Sequence, residues 1–103
     1  MEKYSIHVRD MYENLFKTIF RIFLPYDESV FQYLFYHLTK DFLVINESED
    51  NTLYVATFLH KEENLVAFIK HDKVGDELIF SLYKVSEEVR KKLEEMKKKK
   101  ERC

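Results

Sequence analysis

Between Phe42 and Tyr83 the chain carries four apolar runs, FLVI, TLYVATFL, LVAFIK and ELIFSLY, separated by short polar joints. Runs of this length, rich in β-branched and aromatic residues and bounded by polar clusters, read as strands. Four in succession predict an antiparallel meander over residues 42–84, with strands at 42–46, 52–60, 65–71 and 77–84. In the second run Leu53, Val55 and Leu59 fall on one side and Tyr54, Ala56 and Phe58 on the other; in the third, Leu65, Ala67 and Ile69 oppose Val66 and Phe68. A half-solvated antiparallel sheet alternates apolar with polar residues. These middle strands are apolar on both sides, so the sheet has to be covered twice, by the chain's own helices or by a partner. The joints are NESEDN at 46–51, KEEN at 61–64 and DKVGD at 72–76. The last holds Gly75, the only glycine, which makes it the expected site of a positive φ.

Helical periodicity flanks the meander. From residue 5 to 24, Val8, Met11, Tyr12, Leu15, Phe16, Ile19, Phe20, Ile22 and Phe23 recur at helical spacing, and Pro25 would end the helix. A second helix is expected over 27–40, capped by Asp27 or Ser29 with Glu28 in its first turn. It bears Tyr33 and Tyr36 as well as Val30, Phe31, Leu34, Phe35 and Leu38, and is therefore apolar around most of its circumference. A third helix, 86–102, starts at Ser86 and offers only the narrow seam Val89, Leu93 and Met96 before a basic tail that frays. The expected fold is α+β in the order ααββββα: a helical hairpin, a four-stranded antiparallel β-meander and a C-terminal helix, forming a single domain over 1–103.

Composition narrows the function class. With one Gly and one Pro in 103 residues, and 46% hydrophobic residues, the chain is neither disordered nor linker-like. A single glycine allows neither a P-loop nor a dinucleotide fingerprint, so no nucleotide cofactor is expected. The lone Cys103 precludes an intrachain disulfide, and the opening MEKYSIHVRD lacks the apolar run of a signal peptide. The most apolar stretch, Leu15 to Leu24, is interrupted by Lys17 and Arg21 and is too short to span a bilayer. A cytoplasmic protein with no membrane partner is the expectation.

Abundant Lys and Glu, a single Gln (Gln32) and one Gly form a composition associated with hyperthermophile proteins, in which surface ion pairs gain weight as temperature rises. Together with the dense Tyr, Phe and Ile usage, it resembles the small orphan proteins encoded by viruses and plasmids of hyperthermophilic archaea. The resemblance lies in composition along the whole chain and carries no motif. It implies an intracellular protein, often a homodimer, that regulates nucleic acid or antagonises a host machine in the host cytoplasm.

No catalytic motif emerges. His7, His37, His60 and His71 lack partners at ligand spacing, so neither a metal site nor a general base is expected among them. The acid pairs Glu62–Glu63 and Asp76–Glu77 fall in expected turns, where carboxylates stay solvated and cannot split their pKa values for acid–base work. The charge is uneven: net +3 from Ser86 onward against −5 for the preceding residues. Arg90, Lys91, Lys97, Lys98, Lys99, Lys100 and Arg102 could contact phosphates, but interleaved acids and the lack of a nearby aromatic residue allow no sequence readout. The aromatic residues suggest an interface instead: Tyr33, Tyr36, Tyr54, Phe58, Phe68 and Tyr83 lie on elements that look covered twice. The expectation is a non-enzymatic protein-binding or regulatory protein that pairs with itself and with an unidentified protein. The alternative is nucleic-acid binding through the basic C-terminal helix.

Overall fold

A computed structural model describes residues 16–102, with the side chains of 98–102 excepted. Its elements are β1 (Phe16–Pro25), α1 (Glu28–Asp41), β2 (Phe42–Glu49), β3 (Leu53–His60), β4 (Leu65–Asp72), β5 (Glu77–Val85) and α2 (Glu87–Arg102). The strands form one antiparallel sheet in the order β1-β5-β4-β3-β2. The fold is α+β, with, among the described residues, five strands and two helices, one helix on each face of the sheet.

The helical hairpin expected at the start is replaced by β1 over residues 16–25, and the order is β-α-β-β-β-β-α. The part of the expected helix at 5–15 lies outside the described residues. FKTIFRIFL fits two periods: Phe16, Ile19, Phe20 and Phe23 at helical spacing, Phe16, Thr18, Phe20, Ile22 and Leu24 at strand spacing. Its β-branched and aromatic residues fit a pleated surface, and β5 supplies a ladder from Phe16↔Val85 to Pro25↔Glu77. Pro25 thus closes an edge strand, where its missing N–H disturbs no ladder bond toward a further strand.

Because β1 and β2 occupy opposite edges, α1 must cross the sheet to join them. Fourteen residues of helix give about 21 Å, and four interstrand steps about 19 Å, so its length matches the width to be crossed. The Asp27 carboxylate caps the helix by accepting from the Ser29 and Val30 amides at 2.8 and 3.3 Å. Val30, Phe31, Leu34, Phe35 and Leu38 pack onto Ala56, Phe58, Ala67, Ile69 and Leu78. On the other face Val89 of α2 joins Ile45, Leu59, Val66 and Val85, with Ser86 Oγ accepting from the Val89 amide at 3.2 Å. The sheet's two-sided apolar pattern is therefore met by one helix per face.

Two joints differ from expectation. β2 continues to Glu49, and the turn contracts to residues 50–52, where the Asp50 carboxylate accepts from the Thr52 and Leu53 amides at 2.7 and 2.9 Å. Gly75 does not take a positive φ; Asp76 does, at 52°. An acidic residue tolerates that region. A Cβ at Gly75 would meet Asp72 Oδ2 at 3.2 Å, a tight contact with a carboxylate whose Oδ1 accepts from the Val74 and Gly75 amides.

Phe58 is fully enclosed beneath α1, so Phe58→Ala should lower unfolding free energy by roughly 3–5 kcal/mol in denaturant titration. Hydrogen bonds from Ser29 hold the Asp27 carboxyl below its ordinary value of 3.8, and those from Thr52 do the same for Asp50. Both contributions are complete above that value and lost as pH falls through the depressed one. Tm should hold from neutrality to about pH 5 and fall below about pH 4, with a shallower fall in Asp50→Asn.

Candidate functional site

The strand registers place five residues in one row across the α2 face: Arg21, Ser81, Phe68, Thr57 and Asn46, from β1 to β2. α2 covers the end of this face near Val85. Val89 is buried, Leu93 half-buried, and Met96 is exposed at the margin of cover. Between α2 and the cross-sheet row runs a groove of about 650 Å3, walled by Phe16, Ile45, Phe68, Tyr83, Leu93 and Met96 with Thr18, Arg21, Asn46 and Thr57 at its borders.

Ile45 reaches this face through a bulge in β2. The pairing steps from Val44↔Phe58 to Asn46↔Thr57, so Ile45 is an extra residue and both it and Asn46 lie on the α2 side. Phe68 and Tyr83 meet edge to face, with centroids 5.6 Å apart, and Phe16 meets Tyr83 likewise at 5.8 Å. Arg21 Nη2 donates to the Tyr83 hydroxyl at 2.9 Å. Burial alone would raise the Tyr83 phenol, but hydrogen bonds with Arg21 and Ser81 and the positive charges of Arg21 and Lys70 outweigh it and hold the group below its ordinary value.

A second cleft, of about 350 Å3, lies between α1 and the sheet edge near Glu47, Tyr54 and His71. Tyr54 donates to Glu47 Oε1 at 2.7 Å; burial, then this bond and the charges of Glu47 and Glu49, raise its phenol. Tyr26 stacks on the His71 ring at 3.6 Å, and His71 Nε2 lies 3.3 Å from Asp76 Oδ1. Each group is held by a neighbour, and the phenol stays protonated, a donor rather than a base.

The residues singled out from sequence scatter. Tyr33 and Tyr36 lie on the outer surface of α1, 63% and 64% exposed, on either side of the His37 ring. Tyr54 belongs to the second cleft, and Phe58 is sealed in the core with no area to present to another molecule. Only Phe68 and Tyr83 come together, in the groove. His60 Nδ1 accepts from the Glu62 and Glu63 amides at 3.0 and 2.8 Å, so it organises the β3–β4 turn; His7 lies outside the described residues. Among the described residues no three His, Cys, Asp or Glu side chains converge as a metal site, and no helix is long and apolar enough to cross a membrane.

The basic helix divides as well. Arg90 is engaged within the fold: its guanidinium donates to the carbonyls of Glu63 and, at 3.0 Å, Lys61, and lies 3.7 Å from Glu94. It ties α2 to the β3–β4 turn. Lys91 is exposed and Lys97 half-exposed, while the side chains of Lys98, Lys99, Lys100 and Arg102 lie outside the described residues.

Arg21, Asn46 and Thr57 were not singled out from sequence. A plain strand period over residues 16–24 sets Arg21 on the opposite face from Phe16 and Thr18; the irregularity between Thr18 and Phe20 brings the three to one face, and no local signal in the sequence marks it. No family model, curated protein or solved structure matches this chain.

Arg90→Ala should destabilise the protein by roughly 1 kcal/mol and speed amide exchange in the 61–64 turn, because two turn carbonyls lose a charged donor. Arg90→Lys should recover little of this, since an ammonium lacks the forked donor geometry.

Proposed function

We propose that the chain is a non-enzymatic binding protein that works as a homodimer, with the outer edge of β1, which no other described strand pairs, as the surface where a second copy docks. One observation carries the reading: β1 is a ten-residue edge strand whose Ile19, Ile22, Phe23 and Leu24 are 50%, 43%, 54% and 37% exposed. A long apolar edge is a template for another strand, and soluble proteins ordinarily blunt such edges. Two-fold symmetric association uses one patch twice.

The sequence of the edge suits self-pairing. Beyond the irregularity between Thr18 and Phe20 the ladder is regular. Antiparallel pairing about Ile22 sets Ile22 against its copy, Phe20 against Leu24, and Arg21 against Phe23. Apolar residues then meet on the α1 side, a cation meets an aromatic ring on the α2 side, and no like charges are opposed. The absence of chemistry is supported by how the titratable candidates are used: Tyr54, His60 and Arg90 each serve a turn, cleft or helix contact. The nucleic-acid alternative is weaker by one residue, because Arg90 is spent on carbonyls.

Sedimentation at tens of micromolar should give twice the 12.6 kDa protomer mass. Ile22→Lys, which opposes two ammonium groups across the two-fold axis, should yield monomer with an unchanged circular dichroism spectrum and at least about a tenfold weaker association. A monomeric unmodified chain at that concentration would overturn the proposal.

A further inference from the structure

The groove on the α2 face has a chemical polarity that the edge-pairing proposal does not use. Toward α2 its walls are Leu93, Met96 and Ile45. Toward β1 and β4 it ends in positive charge. Arg21 borders it, and the Lys70 ammonium stands 5.9 Å from the centre of the Phe68 ring that forms its wall. Both cations act on the Tyr83 hydroxyl between them. Among the described residues lining the groove none is acidic, and no described carboxylate lies within ion-pair distance of Arg21. Arg21 donates to the Tyr83 oxygen, so the guanidinium and the phenol hydroxyl stand together at this end of the groove. A volume of about 650 Å3 lies within the range of small-molecule sites, which are mostly apolar with a few convergent polar groups.

We propose that this groove binds a single-headed aliphatic anion of the fatty-acid class, its head held by Arg21, Lys70 and the Tyr83 hydroxyl and its chain laid along Phe68, Leu93 and Met96. The match is one of charge and shape together. A neutral hydrocarbon would leave two cations without a counter-charge, and a compact anion would leave the apolar wall wet. A cationic amphiphile would meet repulsion at the head position. Arg21 belongs to β1 and so to both proposals, whereas Lys70 lies on β4; Lys70→Gln therefore reports ligand binding without altering the β1 edge, and sedimentation of each variant keeps the two measurements distinguishable.

Isothermal titration of the full-length protein with dodecanoate, below its micelle concentration, tests the assignment, with dodecyltrimethylammonium as the head-charge control. Dodecanoate should give saturable one-to-one binding and the cationic probe none. Arg21→Gln and, separately, Lys70→Gln should each weaken dodecanoate roughly tenfold, the scale of one charged hydrogen bond. Met96→Ala should weaken dodecanoate by less than either charge variant does. Circular dichroism confirms the fold of each variant, and Lys70→Gln serves if Arg21→Gln disturbs β1. Comparable binding of both probes, or unchanged affinity in folded Arg21→Gln and Lys70→Gln, overturns the proposal. So does the lack of saturable heat, the result expected if residues 1–15 fill the groove, and so does binding lost as protein concentration rises, the result expected if a second copy fills it.

Discussion

The pairing of β1 with β5 is the contact on which the rest of the architecture depends. Nine Cα pairs join the first described strand to the last in sequence, closing the sheet at one edge with residues some sixty positions apart. Once β1 lies there and β2 lies at the opposite edge, α1 can connect them only by crossing a face, which fixes where Phe31, Leu34, Phe35 and Leu38 must point. The same pairing brings Phe16, Thr18 and Arg21 beside Tyr83 and so supplies one wall of the groove. Such long-range pairing closes a large loop before it is rewarded by contacts, so β1 is an element expected to join the sheet late.

Much of the sheet was legible because β3, β4 and β5 have an unambiguous period. The two-sided apolarity of Leu59 against Phe58, and of Val66 against Ala67, announced two covers, and each face has one. The Asp27 and Ser86 caps were visible from local chemistry alone. β1 was not legible, since FKTIFRIFL satisfies helical and strand spacing alike and what decides between them is the availability of the β5 edge, which no local window contains. Gly75 misled for a related reason: glycine signals either a backbone angle or close approach by a neighbour, and here φ is not positive while Asp72 lies close. The residues that meet in the groove come from six elements, and their alignment is a property of register rather than of spacing along the chain.

Charge is distributed by role. Arg90, the first basic residue of α2, is turned inward to the carbonyls of the β3–β4 turn, which His60 braces from within through the amides of Glu62 and Glu63. Lys73 reaches from the start of the β4–β5 turn to Glu49 at 2.6 Å and to the Asp50 carbonyl at 2.8 Å, tying two hairpin ends together. Few of the polar groups flanking the sheet are idle.

The bulge at Ile45 sets the phase of everything after it in β2. As an added residue it places Ile45 in the core under α2 and still lets Glu47 and Glu49 face Ala56 and Tyr54 on the α1 side. In an uninterrupted ladder that kept all the residues, Asn46 would be driven against Ala56 and Glu47 would turn to stand opposite Val55, on the groove's face. One inserted residue therefore determines the sign of charge each face presents. An insertion or deletion in β2 would act less as a change of length than as an inversion, exchanging what the two faces of the sheet can recognise.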